Sequence, residues 1–184
     1  MNQPNYRTIF KTSKNCPTAA RDVLQGIFTS EVLRPSKRLW VVSPWISNFE
    51  VIDNGTGSYW ALDFNWGQTH IRLRDILVRI VQNGGELMLV TRPKANREQF
   101  ADGEEFAKNL REELADCGQE HRLTTIFRED LHRKGLIGDR FYLNGSMNLT
   151  HSGVELNDES INLELDEHRV SQAIQAFEQE YIRT

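Results

Sequence analysis

The order of apolar and polar residues along this chain shows two periods, and these periods predict its secondary structure. Four segments carry apolar residues every three to four positions, the spacing of an amphipathic helix. They are residues 17–32, 71–81, 96–116 and 167–182. The short apolar runs that are typical of strands are residues 39–43, 86–91, 123–127, 131–137 and 160–165. Helices and strands that alternate in this way predict an α/β sandwich over one central sheet.

Residues 50–70 follow neither period. They contain a turn-forming stretch at residues 54–58 and predict an irregular insertion. Its aromatic residues are Tyr59, Trp60, Phe64 and Trp66. Such residues stack on nucleobases in single-strand binders, but more often they pack a loop onto the core or form a subunit contact, which we expect here. The chain has no internal repeat or linker, so residues 1–184 are predicted to form one domain.

Composition places the chain among cytoplasmic globular proteins. No apolar run approaches the ~20 residues that span a bilayer, so we expect no membrane association. The first residues lack the charged and apolar regions of a signal peptide. Cys16 and Cys117 lie far apart and in no metal-binding spacing, which fits a reduced compartment.

The formal net charge of −4 is not that of a protein that clamps duplex nucleic acid. A nuclease with a locally positive site is still compatible with it. Two basic clusters offer such a site: Arg92, Lys94 and Arg97, and Arg128, Arg133 and Lys134. For the first cluster we favour a solvated loop and helix start.

Candidate chemistry lies between residues 132 and 148. His132 and Lys134 are two apart, so on a strand both side chains point to the same face. Asp139 follows in a turn, and Gly145, Ser146 and Asn148 follow the return segment. An imidazole that can attack phosphorus and an ammonium that can hold its oxygens would then share one site. This combination predicts a protein that processes phosphodiesters.

The ordered set His132-x-Lys134-x4-Asp139, then Gly145-Ser146-x-Asn148, then residues 157–159, resembles the phospholipase D superfamily. The resemblance implies an α/β/α sandwich around a mixed central β-sheet. It also implies that His132 attacks the phosphodiester and becomes a covalent phosphohistidine. Lys134 and Asn148 would hold the phosphate oxygens, and Ser146 would orient the site or donate a further hydrogen bond.

Three finer roles follow from the same resemblance. Glu159 matches the acidic residue that orients the catalytic His in small nucleases of this family, and Glu164 is its rival. Asp139, although part of the motif, is expected to be a structural turn residue rather than a direct catalyst. If a short helix opens at Asn148 and runs to Gly153, its free backbone N–H groups would help to hold the anion.

Only one copy of the motif is present, whereas the family mechanism uses two histidines. The resemblance therefore implies a homodimer in which His132 of each subunit meets at a two-fold axis. No metal-ligating constellation accompanies the motif, so we expect no metal or other cofactor and activity in a chelator. His70, His121, His151 and His168 are expected to be ordinary polar histidines.

The first functional hypothesis is a metal-independent endonuclease of the phospholipase D type that acts on DNA. Residues 43–47 and 51–54 resemble the short family members in bacterial DNA-modification and phage-restriction clusters, including the 7-deazaguanine system. The alternative is a non-catalytic or partner-activated subunit of a defence assembly, with DNA affinity supplied by a helicase or translocase. A phospholipid phosphodiesterase ranks lowest, because the helices are acidic or mixed rather than basic and amphipathic.

Overall fold

A computed structural model describes residues 5–12, 14, 18–93 and 102–182. The strands are β1 (Tyr6–Lys11), β2 (Arg38–Val42), β3 (Glu50–Asp53), β4 (His70–Arg72), β5 (Glu86–Thr91), β6 (Leu123–Phe127), β7 (Gly135–Ile137), β8 (Tyr142–Gly145) and β9 (Glu159–Glu164). The α-helices are α1 (Ala19–Leu33), α2 (Leu73–Gln82), α3 (Gly103–Asp116) and α4 (Glu167–Tyr181).

Seven of these strands form one mixed sheet in the order β1-β9-β8-β7-β2-β5-β6. β2, β5 and β6 run parallel, because α2 and α3 carry the chain back between them. The remaining neighbours pair antiparallel, and β7 and β8 form a hairpin. The predicted α/β sandwich around a mixed central sheet is therefore confirmed.

The two faces of the sheet bury different sets of side chains. Helices α1, α2 and α3 cover one face, where Leu24, Leu77 and Leu110 pack in a single apolar cluster. Helix α4 covers the other face with an aromatic group in which Phe177 lies 5.9 Å from Trp40, ring centre to ring centre. Burial raises the pKa of the Tyr181 phenol in this group to about 12. No helix among the described residues has the length and apolarity needed to cross a membrane.

Most predicted elements are found close to their predicted bounds. β5 and β6 match residue for residue, and α1, α2 and α4 differ by a few residues at their ends. The predicted helix over residues 96–116 is seen as α3, which begins after Asp102 because that side chain accepts hydrogen bonds from the Glu104 and Glu105 N–H groups. The part of that prediction at residues 96–101 lies outside the described residues.

The insertion at residues 50–70 is less irregular than predicted. Its ends are β3 and β4, which pair antiparallel as a separate two-stranded sheet with a shift of register. Within it Trp66 is buried, and the Tyr59 hydroxyl accepts a hydrogen bond from Gln25, so these two rings pack on the body of the protein as expected. Trp60 and Phe64 instead contact each other, with ring centres 5.4 Å apart, and are 57% and 76% exposed.

Candidate active site

The motif residues lie where the ends of three neighbouring strands meet. Lys134 directly precedes β7, Gly145 ends β8, and Glu159 begins β9. The register pairs Gly135 with Asn144 and Gly145 with Ile161, so these three ends share one edge of the sheet. Lys134 and Gly145 line the same small cavity, together with Met147. The fold thus brings both halves of the sequence motif together.

His132 and Lys134 do not lie on a strand, contrary to prediction. β7 starts only at Gly135, because Gly135 pairs with Val42, the last residue of β2. Residues before Gly135 have no residue of β2 to pair with. The predicted alternation of side chains nevertheless persists. The Arg133 guanidinium turns to α4, where it contacts Glu180 at 2.5 Å. The Lys134 ammonium stays on the other side and donates to the His132 carbonyl oxygen at 2.9 Å.

A residue that the sequence analysis did not place in the site, Arg92, contacts the imidazole of His132. Its Nη2 lies 3.3 Å from the His132 Nε2. Guanidinium nitrogens only donate hydrogen bonds, so a hydrogen bond at this contact requires Nε2 as the acceptor, which is the tautomer with its proton on Nδ1. The same guanidinium donates through Nε to the Leu131 carbonyl at 2.9 Å and lies 5.3 Å from the ring centre of Trp45.

Ser146 and Glu159 form a pair beside the motif. The Ser146 hydroxyl donates to Glu159 Oε2 and accepts a hydrogen bond from the Ser160 N–H at 3.0 Å. Glu159 is only 8% exposed, so its carboxylate is held in place rather than free in solvent. Within the described part of the chain, the His132 ring is hydrogen-bonded to Arg92 and not to Glu159.

Glu164, the rival of Glu159, lies at the opposite end of β9. Its carboxylate accepts hydrogen bonds from the N–H groups of Leu165 and Asp166, at 3.1 and 2.9 Å. Its second oxygen contacts Arg169 at 3.0 Å. The length of β9 puts Glu164 roughly 16 Å from Glu159, so Glu164 does not reach the motif. Its contacts instead fix the start of α4.

A second residue missing from the sequence analysis is Lys11, which faces Glu159 across the β1–β9 ladder. It is 1% exposed, and its Nζ donates to the Asn157 carbonyl oxygen at 2.5 Å. The lysine thereby ties the end of β1 to the segment that leads into Glu159. β1 was not predicted, because only Ile9 and Lys11 of its residues are buried and no apolar alternation results.

Asn148 is fixed by its neighbours in the chain. Met147 and Leu149 are buried, and the Leu149 N–H donates to the hydroxyl of Ser43 at 3.0 Å. Gly153 packs so closely on the Asn148 carbonyl that a Cβ there would overlap it. The amide oxygen of Asn148 is buried and has no hydrogen-bond partner among the described residues. The Asn148 side chain is therefore held in place, and its amide oxygen lacks a hydrogen-bond partner among the described residues.

The predicted helix that opens at Asn148 is not present. A single wide turn of π type begins later, at Ser152–Leu156. Three N–H groups of this segment have partners, because Leu149 donates to Ser43 and both Gly153 and Val154 donate to Thr150. These three amides are therefore not available to an anion.

Asp139 is in the motif but not in the site. It follows the far end of β7, where its carboxylate accepts from the Lys37 N–H at 2.8 Å and its own N–H donates to Ser36 at 2.8 Å. Ser36 in turn donates twice to the buried carboxylate of Glu31. Asp139 thus joins the β7–β8 turn to the chain that leads from α1 into β2.

The charges around the site are less basic than the sequence suggested. Arg128 contacts Asp130 at 3.3 Å, and Arg133 contacts Glu180, so two cations of the second basic cluster have carboxylate partners. Of the first cluster, Lys94 and Arg97 lie outside the described residues. Arg92 and Lys134 are the cations that the structure places directly on His132.

One group with metal-ligating atoms does converge, away from the motif strands. Glu50, Asp53 and His70 lie on the β3–β4 sheet with their ligand atoms within 4.8 Å of one another. His70 Nδ1 is 3.0 Å from Glu50 and 3.7 Å from Asp53. His70 is polar and exposed, as an ordinary surface histidine is, and ion pairing alone accounts for a group of this kind.

Comparison with known proteins gives a family and a fold. Residues 37–181 match the family model described as cardiolipin synthase, PLD-like domain. The chain is similar in structure to NucT from Helicobacter pylori, with a TM-score of 0.60 and 10% identity over 95% of this chain and 94% of that one. It is also similar to Nuc, a phospholipase D family member from Salmonella typhimurium, with a TM-score of 0.61 and 12% identity over 96% and 93%.

A third structure, phosphatidylserine synthase from Haemophilus influenzae, has a TM-score of 0.59 and 19% identity over all of this chain and 40% of that one. The comparison with curated proteins gave no match. Identities this low establish a shared fold, whereas the family rests on the sequence match over most of the chain.

Proposed function

The chain belongs to the family of phospholipase D-like domains, and we propose that it is a phosphodiesterase that reacts through a phosphohistidine on His132. The observation that carries this proposal is the meeting of three strand ends. They bring Lys134 beside Gly145, with His132 two residues before it and Glu159 at the start of β9. The imidazole, ammonium, amide and carboxylate that a two-step phosphoryl displacement needs are then at one edge of the sheet.

In the first step the Nε2 lone pair of His132 attacks phosphorus, and the bond from phosphorus to the leaving oxygen breaks. A second imidazole gives its proton to that oxygen. In the second step the same imidazole takes a proton from water, and the oxygen of that water displaces His132 from phosphorus. Lys134 and the Asn148 amide hold the non-bridging oxygens throughout, as a point charge and as a hydrogen-bond donor.

Glu159 is the carboxylate proposed to stabilise the imidazolium of His132. The contact with Arg92 leaves Nδ1 as the N–H of the ring, and from this N–H a carboxylate would accept a hydrogen bond. Ser146 prepares Glu159 for this task, because its hydroxyl holds one carboxylate oxygen and its own position is fixed by the Ser160 N–H. Ser146 is thus a positioning residue in this proposal.

The second imidazole comes from a second copy of the chain. The sequence contains one motif, and none of the hydrogen bonds among the described residues brings another histidine to His132. A homodimer with the two His132 side chains at its two-fold axis supplies the missing proton donor. The active species is therefore proposed to be the dimer.

The proposed substrate is nucleic acid, with DNA favoured, because the single-motif branch that the chain resembles is the nuclease branch. The wider proposal, restriction of phage or foreign DNA in a bacterial defence cluster such as the 7-deazaguanine system, rests on residues 43–47 and 51–54. The pairing of Arg128 and Arg133 with acidic residues favours one alternative. In that alternative a helicase or translocase supplies the DNA affinity and activates this subunit.

The test is hydrolysis of single-stranded DNA, double-stranded DNA and bis(p-nitrophenyl) phosphate in excess EDTA. The wild type should cleave, and His132→Ala should not. His151→Ala, which alters an exposed histidine in the next turn, is the matched control and should retain activity. Failure of the folded wild type to cleave any of the three substrates alone supports the partner-activated alternative. Cleavage that survives in His132→Ala refutes the proposed chemistry.

A further inference from the structure

We infer that Arg92 holds the nucleophilic nitrogen of His132 in the free enzyme and transfers its hydrogen bond to the phosphate when substrate binds. The inference rests on the proposed function, since it assigns a nucleophile to His132. It adds a residue from another segment of the chain, forty positions away, to the machinery of the motif. In this role the substrate itself exposes the nitrogen that attacks it.

Arg92 is built into the site rather than free in solvent. Its Nε donates to the carbonyl of Leu131, the residue directly before His132, and its guanidinium lies over the Trp45 ring. The position directly after β5 is fixed as well, because Gly103 packs on the Arg92 carbonyl with no room for a Cβ. Three separate contacts therefore aim one edge of the guanidinium at the His132 ring.

The contact with Arg92 occupies Nε2, the His132 atom that must be free to attack phosphorus. Nε2 can attack phosphorus only with a free lone pair, and in the free enzyme that lone pair accepts the Arg92 N–H. A neutral imidazole is, however, a weaker acceptor for a guanidinium than an anionic phosphate oxygen. The hydrogen bond to phosphate joins two ionised partners and can be bidentate, so it is the stronger of the two. When a phosphodiester binds, the Arg92 guanidinium therefore exchanges its hydrogen bond to the imidazole for one to the phosphate.

The exchange has two consequences in one event. The phosphate gains a cation next to Lys134, and Nε2 of His132 regains its lone pair while facing the phosphorus. In the subunit that supplies the nucleophile, Arg92 stays charged and the His132 proton stays on Nδ1 until attack. The proton for the leaving oxygen comes from the His132 of the other subunit.

The test compares Arg92→Gln with Arg128→Gln. Glutamine keeps one donor for the Leu131 carbonyl but loses the charge. Arg128 is an arginine at the end of the neighbouring strand β6 whose loss removes a charge without touching His132. Arg92→Gln should lower kcat/KM for bis(p-nitrophenyl) phosphate by about 10- to 100-fold, with KM raised. Arg128→Gln should leave both constants near those of the wild type.

Chemical modification of the free enzyme gives a second readout, in which loss of Arg92 should raise a rate instead of lowering it. Diethyl pyrocarbonate acylates an unprotonated imidazole nitrogen that is free to attack, and peptide mass spectrometry reports the rate at His132. Loss of Arg92 should make His132 react about 3- to 10-fold faster, the weight of one net hydrogen bond. A purely structural arginine predicts lower activity without this gain in reactivity. An unchanged or slower modification rate in Arg92→Gln overturns the inference.

A second variant covers a failure of Arg92→Gln to fold. Arg92→Ala should regain part of its hydrolysis when guanidinium ion is added at millimolar concentration, and Arg128→Ala should show no such gain. The two hypotheses fail in different ways. An inactive wild type refutes the proposed function, yet the modification rates still test Arg92. An active, His132-dependent enzyme whose Arg92 variants behave like the wild type refutes the inference alone.

Discussion

Two residues beside the motif, Ser146 and Glu159, show how the site is prepared before any substrate arrives. The Ser146 hydroxyl accepts from one backbone N–H, which fixes its oxygen, and it donates its single O–H to the carboxylate of Glu159. The Lys11 side chain stands opposite Glu159 and holds the segment that precedes it. The acidic group of the site is therefore fixed by a strand, a hydroxyl and a buried ammonium.

Exchange of this carboxylate for an amide tests its role. Glu159→Gln keeps the size of the side chain but removes the charge that would stabilise the imidazolium of His132. We expect kcat for bis(p-nitrophenyl) phosphate to fall about 100-fold or more while the protein remains folded. Glu164→Gln is the matched control on the same strand. It should lower the free energy of unfolding by about 1–2 kcal/mol through the start of α4 and leave kcat unchanged. The reverse pattern would assign the catalytic carboxylate to Glu164.

Among single residues, spacing in the sequence selects the candidates of the motif but gives no sign of the residues that support them. His132, Lys134, Ser146, Asn148 and Glu159 stand out by their order, and they lie on or beside strand ends that meet. Arg92 and Lys11 belong to segments with no motif. Their placement depends on which strands become neighbours, and this is a property of the fold rather than of local sequence.

At the scale of elements, apolar runs predicted the strands that carry them and missed the strands that expose most of their side chains. β5 is buried at every position after its first, and β6, although it lies at one edge of the sheet, still carries the apolar residues Leu123, Ile126 and Phe127. β1 at the sheet edge exposes most of its side chains, and β3 and β4 bury only a few. β7 was predicted too long, because strand length is set by where β2 and β8 end.

The connection between α1 and the β7–β8 turn predicts a pH dependence. Burial raises the pKa of Glu31 above its usual 4.5, and this outweighs the hydrogen bonds from Ser36 and the attraction of Arg140. The native state therefore binds a proton here more readily than the unfolded chain. The contribution of Glu31 to stability is present below the unfolded pKa and is lost as the pH rises from 4.5 through the raised value.

Thermal unfolding across this range measures the effect. Relative to Glu31→Gln, which does not titrate, the wild type should lose melting temperature as the pH rises above 4.5. Asp139→Asn removes a nearby negative charge that also raises the Glu31 pKa, so it should reduce the slope without abolishing it, because burial is the larger cause. A wild-type curve parallel to that of Glu31→Gln would mean that the Glu31 pKa is not raised by burial.

At the scale of the whole molecule, the proposed chemistry is incomplete in one copy of the chain. The sequence carries one motif, and the net charge of −4 gives little attraction for a duplex. The single motif is explained if two copies of the chain combine their sites. The low charge is explained if local cations, rather than a basic face, hold the substrate. Neither the composition nor the sequence patterns identify which surface pairs.

A mixed dimer tests this completeness. Wild-type chains and His132→Ala chains with different affinity tags are co-expressed, and the species carrying both tags is isolated. If one imidazole attacks and the other protonates the leaving oxygen, the mixed dimer should turn over far less than half as fast as the wild type. Sedimentation should give twice the chain mass of 21.3 kDa for all three species. An active monomer, or a mixed dimer with half the activity, would contradict the two-histidine site.

The measurement that bears most directly on the central claim is mass spectrometry of the enzyme during turnover. Samples quenched at alkaline pH, which preserves phosphohistidine, are digested and mapped after reaction with bis(p-nitrophenyl) phosphate in EDTA. We expect a p-nitrophenyl phosphate adduct on His132, and none on the other four of the five histidines. An enzyme that turns over with no adduct on His132, or with the adduct elsewhere, would contradict it.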